Sequence, residues 1–282
     1  CNPGTLNPAL AAAFRGSGLN RISLGVQSFH NHHLQTLGRT HDADQAREAY
    51  RLARKAGFDN INLDLIFGLP DQSLEEWKAD LYEAIDLSPE HLSLYNLTIE
   101  PGTEFGHRQA RGELQEIDED LAADMYEMAM DITADAGYEQ YEISHYCRPN
   151  RQCAHNRIYW HNEPYLGFGV SAASFIGGIR STNTGSLAEY GRTAPRGQTR
   201  RATEERLEGR AALGEEIMLR LRTREGISLR ALSWRYQCDV ATLFSDSVNF
   251  LLRRQLIEKT EDRIRLTRQG KLLADQVCLQ FL

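Results

Sequence analysis

The feature that most constrains this chain is a change of period, repeated three times in its first hundred residues, from helical spacing to the apolar runs of a buried strand. After Pro8, residues 9–14 read as a helix that stops near Gly16 and Gly18, and residues 21–26 read as a strand. Asp42 or Asp44 caps a second helix whose apolar stripe is Ala46, Ala49, Leu52 and Ala53. It ends at Gly57, ahead of a strand at 61–67 closed by Gly68-Leu69-Pro70. Ser73 caps a third helix, through Trp77, Leu81 and Ile85, that leads to a strand at 91–97. Helix–strand units at this spacing predict a parallel sheet with right-handed crossovers, either an open doubly wound sheet or part of a barrel. In both architectures polar residues at the carboxyl ends of strands face the ligand crevice. Those positions hold Gln27, Asp64 and Thr98.

Further along, an acidic helix is predicted over 118–136, with Leu121, Met125, Met128, Ala129 and Ile132 on its apolar face and Gly137 after it. A short strand at 141–144 precedes a polar loop at 145–164 and a run of small residues at 167–174, where a backbone can approach a ligand closely. Residues 191–204 have the composition of a linker. From 205 the order helix, helix, helix, short hairpin, helix resembles a winged-helix module. The predicted domains are therefore 1–190, a linker at 191–204, and 205–282.

Charge and cysteine content narrow the function. The net charge of −7 excludes a general polyanion binder. From residue 201 onward, 15 basic side chains face 12 acidic ones without a dense stripe, so a packing or lid role is expected there rather than nucleic-acid binding. No run approaches the ~18 apolar residues of a membrane span, which leaves only peripheral membrane association open. Five cysteines, odd in number and mostly far apart, point to a reducing, cytoplasmic setting. The chain opens Cys1-Asn2-Pro3-Gly4, a turn sequence without an initiator methionine, so the expectation is a domain cut part-way.

Three stretches can carry chemistry. Gln27 at a strand end and Arg39 one short helix later can grip a carboxylate or ribose, because Arg offers a planar fork and Gln both a donor and an acceptor. Taken singly, each is better explained by a loop contact or a surface ion pair. Asp64 is a carboxylate inside an apolar strand, which is costly unless it is paired or binds something; Arg39 or Arg21 is the structural partner to weigh against a ligand. Cys153-Ala154-His155-Asn156-Arg157-Ile158-Tyr159-Trp160-His161, with His145 and Cys147 upstream, suits zinc. Against zinc, Cys147 and Cys153 are separated by five residues, wider than the usual spacing. The same run suits a flat aromatic ligand such as haem, with His155 as axial imidazole beside Tyr159 and Trp160. A histidine beside aromatics is also commonly a hydrogen-bonded core residue.

Together, Asn2-Pro3-Gly4-Thr5, residues 20–29, Leu37-Gly38-Arg39-Thr40-His41, residues 64–70 and His155-Asn156-Arg157-Ile158-Tyr159-Trp160 resemble the radical S-adenosylmethionine proteins related to oxygen-independent coproporphyrinogen III oxidase. The His-Asn-x-x-Tyr-Trp run resembles their haem-chaperone branch, HemW. The resemblance implies an α/β fold, an incomplete radical-SAM partial (β/α)6 barrel followed by a helical, winged-helix-like C-terminal domain. It places Gln27, Arg39, Asp64, Thr98 and Ala173 around S-adenosylmethionine, with Arg39 on its carboxylate, Gln27 and Asp64 at its ribose and amino-acid end, and Ala173 on the adenine wall. It places haem on His155, with Tyr159 and Trp160 shaping the pocket. The family's [4Fe-4S] cluster sits on a C-x3-C-x2-C loop that is absent here, so its cysteines are expected before Cys1, in a full-length parent. The implied function is delivery of haem to an acceptor protein. The alternative is radical oxidative decarboxylation of coproporphyrinogen III, which the His-Asn-x-x-Tyr-Trp run disfavours.

Overall fold

Helix and strand alternate from the start of the chain as the periodicity predicts. The computed structural model describes residues 1–197 and 201–282 and divides into two compact units, Cys1–Gln152 and Cys153–Leu282. The first unit runs α1 (Pro8–Gly16), β1 (Ile22–Gln27), α2 (Asn31–Thr36), α3 (Ala43–Lys55), β2 (Ile61–Phe67), α4 (Leu74–Asp86) and β3 (His91–Asn96). It continues with α5 (Glu104–Ala110), α6 (Glu119–Asp135), β4 (Glu139–Gln140) and β5 (His145–Cys147). Local chemistry sets the boundaries. Asp42, not Asp44, caps α3 through a reciprocal box with Gln45, and Ser73 caps α4 through a box with Glu76. Gly57, at φ +91°, follows α3 in the left-handed region that a side chain rarely adopts.

The sheet order is β1-β2-β3-β5-β4. The first three strands are parallel, as expected, but β5 pairs antiparallel with β3 and β4 antiparallel with β5, so the sheet is mixed. The strand expected at 141–144 is displaced to either side of those residues. There the Glu142 carboxylate accepts the Ser144 N–H at 2.8 Å, and the Tyr141 N–H donates to the His145 carbonyl at 3.1 Å, folding the backbone into a turn. Packing against the helices gives the unit its core. Leu24, Val26, Ile61, Leu63, Leu65, Leu92 and Leu94 are essentially inaccessible, as are Ala46, Ala53, Trp77, Leu81, Met125 and Ala129.

The second unit begins with α7 (Ala154–Trp160), a helix inside the stretch expected to be loop, then β6 (Ala173–Ile176), β7 (Ile179–Asn183), α8 (Leu187–Thr193) and β8 (Arg201–Arg206). β6, β7 and β8 form an antiparallel sheet. This corrects the expected linker at 191–204: residues 201–204 pair with β7, and α8 reaches into its start. Residues 198–200 of that stretch lie outside the described residues.

From α9 (Gly209–Leu221) the order is β9 (Ile227–Ser228), α10 (Leu229–Tyr236), α11 (Val240–Leu243), α12 (Ser245–Arg253), β10 (Ile257–Lys259), β11 (Arg263–Leu266), α13 (Arg268–Leu272) and α14 (Ala274–Cys278). A three-stranded sheet, β10-β11-β9, closes beside the helices in the winged-helix manner predicted. Leu213, Ile217, Leu221, Ile227, Leu251, Ile264 and Val277 fill its core. No helix among the described residues is long and apolar enough to cross a membrane.

Trp77 ties the first unit's layers together. It is fully buried, its ring lies 5.3 Å from that of Phe67 on β2, and its Nε1–H donates to the Met125 carbonyl of α6 at 2.9 Å. Trp77→Ala is expected to destabilise this unit by about 3–5 kcal/mol, read as a lowered urea midpoint with an unchanged m-value.

Candidate functional site

The parallel strands present one apolar and one polar face, because side chains alternate along a strand. Ile22, Leu24 and Val26 of β1, Ile61, Leu63, Leu65 and Phe67 of β2, and Leu92 and Leu94 of β3 are buried on the side that meets the helices. The alternate positions hold Ser23, Gly25 and Gln27, then Asn62 and Asp64, then His91, Ser93 and Tyr95. The register sets Ser23 opposite Asn62, Gly25 opposite Asp64, Asn62 opposite His91, and Asp64 opposite Ser93.

These side chains form one continuous hydrogen-bonded row. Asp64 accepts from Ser23 Oγ and from Asn62 Nδ2, both at 2.7 Å. Asn62 Oδ1 meets His91 Nδ1 at 2.5 Å and accepts from Ser93 Oγ at 3.1 Å. His91 Nε2 meets the Tyr141 hydroxyl at 2.9 Å, and that hydroxyl meets His145 Nδ1 at 3.1 Å. His145 Nε2 reaches the Tyr95 hydroxyl at 2.9 Å, while its Nδ1 lies 2.8 Å from the buried Glu142 carboxylate. Burial above all, with His145 and Arg21 nearby, pushes His91 down to about 2, so its imidazole is neutral. The Asn62 amide donates toward Ser23 and Asp64, so its oxygen accepts from His91 Nδ1–H, and His91 Nε2 accepts from Tyr141. The row thus runs in one direction from Asp64 to Tyr141.

At the carboxyl end of β1 the backbone is unusual. The pairing with β2 shifts between Gly25 and Gln27, and Gln27 adopts φ +70°, a conformation costly for a residue with a Cβ. Its side chain folds back over Gly25: a Cβ there would sit 2.8 Å from Gln27 Nε2, so a larger residue would push the amide aside. The amide therefore lies beside the position facing Asp64, and it makes no hydrogen bond to the described residues. The turn beyond it is pinned to α4, because Asp80, fully buried, accepts from Ser28 Oγ at 2.8 Å and from the Phe29 N–H at 2.6 Å. Burial pushes Asp80 up to about 6, against those two donors.

Asp64 has no cation beside it: among the described residues neither Arg21 nor Arg39 pairs with it. Arg39, half-buried after α2, has no acidic partner among them either, and its Nε is buried without an acceptor. The structural ion pairs weighed for these residues are therefore not formed. Thr98 lies two residues beyond β3 and is exposed, and Ala173 opens β6 in the second unit, also exposed.

On α7, His155 is exposed and its Nε2 lies 2.9 Å from the Tyr159 hydroxyl, one turn on, with the rings perpendicular at 5.0 Å. Aromatic contacts continue from Tyr159 to Tyr165 at 4.6 Å and from Tyr165 to Phe175 at 6.4 Å. Trp160 Nε1 is buried without an acceptor. Leu166 and Phe168 project from the following loop at 65% and 84% exposure. His155 is thus not the hydrogen-bonded core histidine of the bland alternative. The zinc alternative also fails: among the described residues, no three metal-binding side chains of the 145–161 stretch converge.

Of the expected strand ends, Gln27 closes β1, whereas Asp64 stands in the middle of β2 and Thr98 beyond β3; sequence reasoning missed the row of Asn62, His91, Ser93, Tyr141, Glu142 and His145. The signal was present, since polar residues alternate with apolar ones at 62 and 64 in β2 and at 91, 93 and 95 in β3.

A parallel-stranded sheet with a hydrogen-bonded polar face and charged groups left open beside it, followed in the chain by a winged-helix unit, defines a radical S-adenosylmethionine protein of the coproporphyrinogen-oxidase architecture. Residues 1–82 match the Radical SAM superfamily, and residues 207–273 match the HemN C-terminal domain. Coproporphyrinogen III oxidase (HemN) from Escherichia coli, a radical SAM enzyme, has the same fold, with a TM-score of 0.82 over 99% of this chain and 68% of that one, at 23% identity. The chain is 38% identical to the heme chaperone HemW of Lactococcus lactis over 281 residues, covering 100% of this chain and 74% of that protein. With HemW of Bacillus subtilis the identity is 36% over 282 residues, again 100% of this chain and 74% of the relative. The chain belongs to the HemW family of haem chaperones.

The neutral, buried His91 makes stability pH-dependent. The unfolded chain takes up a proton near pH 6.5 that the folded state refuses until about pH 2, so stability falls as pH falls below ~6.5. The expected contribution is about 1.4 kcal/mol per pH unit between pH 6 and 5. His91→Gln should flatten that slope in urea titrations at the two pH values.

Proposed function

We propose that the chain carries haem on α7, with His155 as the axial ligand and Tyr159 and Trp160 shaping the site, and passes it to an acceptor protein in the cytoplasm. The observation that carries this reading is an exposed imidazole whose ring nitrogen is engaged by a tyrosine hydroxyl one turn away, flanked by a run of aromatic rings. A flat macrocycle gains from aromatic walls, and a single imidazole on an open helix lets the haem leave again. Iron ligation at His155 Nε2 would free the Tyr159 hydroxyl for a propionate or solvent.

The same reading assigns S-adenosylmethionine to Gln27, Arg39, Asp64 and Thr98, with Ala173 on the adenine side. What supports it is charge left open: Arg39 suits the carboxylate of an amino acid, and Asp64, accepting only from neutral donors, suits hydroxyls or an ammonium. The family's [4Fe-4S] cluster, which supplies one-electron chemistry with S-adenosylmethionine, does not fit the cysteines present, since no three converge among the described residues. Within this chain, Arg39 anchors, Gln27 and Asp64 orient, and the hydrogen-bonded row behind Asp64 fixes that carboxylate in place.

Titration with haem should give a shifted Soret band for the parent chain. In His155→Ala the shift should be lost and affinity should fall about tenfold or more, about 1.4 kcal/mol; an unchanged spectrum and Kd would sink the site. Arg39→Ala is expected to weaken S-adenosylmethionine about tenfold by calorimetry while leaving haem binding unchanged. Protoporphyrinogen formation under anaerobic conditions by the full-length parent, with its cluster reconstituted, would instead favour the oxidase reading.

A further inference from the structure

The turn after β1 carries His30, His32 and His33 within four residues, a cluster that neither the cofactor site nor the haem site uses. Single ring nitrogens of His30 and His32 and a carboxylate oxygen of Glu76 lie within 4.8 Å of one another. His32 Nε2 is 3.1 Å from Glu76 Oε1, and His33 Nε2 is 3.6 Å from Glu76 Oε2. Ligand atoms of a tetrahedral zinc site, at about 2.0–2.1 Å from the metal, stand about 3.3 Å apart, so small side-chain rotations close the group.

A second observation points the same way. His33 is 1% exposed, yet neither of its ring nitrogens has a hydrogen-bond partner. A buried imidazole left unpaired costs about 1–3 kcal/mol, and a bound cation would remove that cost. The acidic partner is pre-set: Glu76 Oε2 accepts from the Ser73 N–H at 2.9 Å and from Ser73 Oγ at 2.8 Å, leaving Oε1 turned to His32. His30 Nε2 meets the Glu76 main-chain carbonyl at 3.2 Å, the kind of acceptor that steadies a liganding histidine through its other ring nitrogen.

We propose that His30, His32, His33 and Glu76 bind one divalent transition-metal ion of the zinc class. Three imidazoles and one carboxylate suit Zn2+ or Co2+ rather than Mg2+ or Ca2+, which prefer oxygen ligands. Four protein ligands close the coordination sphere, so the ion would be structural, clamping α2 to the start of α4.

The test is calorimetric titration of the chelator-treated chain with Zn2+, repeated with Co2+ for its visible absorption. The parent chain is expected to bind one equivalent, to show tetrahedral cobalt bands and to rise in Tm with Zn2+. Glu76→Gln retains a residue able to complete the capping box, and His32 is 59% exposed, so both variants should fold. Each should bind Zn2+ at least tenfold more weakly, and the double variant should lose the site and the Tm gain. Equal stoichiometry and affinity in the double variant, or no Zn2+ bound by the parent, would overturn the proposal.

Discussion

The first unit depends on the two-faced character of its parallel strands. On one face, Leu24, Leu63, Leu65, Leu92 and Leu94 leave water entirely and hold the helices. Burial of such apolar area, at about 25 cal/mol per Å2, is the main favourable contribution to folding. The other face cannot be apolar and still serve a polar ligand, yet much of it is buried. The hydrogen-bonded row from Asp64 to Tyr95 reconciles these demands, because every side chain in the row has a partner.

That row also fixes what is left open. Ser23 and Asn62 hold the Asp64 carboxylate without neutralising it, and Gln27 is folded over Gly25 by a left-handed residue at the strand end. Asp80 then anchors the turn through Ser28 and Phe29, so the position of Gln27 is set from α4 as well as from the sheet. The unpaired charges of Asp64 and Arg39 are tolerated because both residues are only half-buried. Rigid support beneath open polar groups is what pre-organises a ligand site.

α4 occupies a central place in this arrangement. One side of it carries Trp77, which reaches β2 and α6, and its first turns carry Glu76 and Asp80, which face the histidines and the turn after β1. The cap that starts the helix, Ser73 with Glu76, therefore does more than end a loop, since it orients the carboxylate offered to His32.

The sequence by itself determined the helix–strand alternation, the cap at Ser73, the strand-end position of Gln27, and the winged-helix order of the last third, because these follow from local period and capping chemistry. The family was legible too, in motifs that local rules read only one at a time. Tertiary structure alone decided that β5 returns antiparallel, since Glu142 folds residues 141–144 into a turn, and that residues 201–204 join a sheet instead of linking domains. It alone left Asp64 and Arg39 unpaired and joined Asn62, His91, Tyr141 and His145 into one row. Pairings between strands and turns distant in sequence are set by register and packing, and no local pattern in the chain encodes which side chain will stand opposite another.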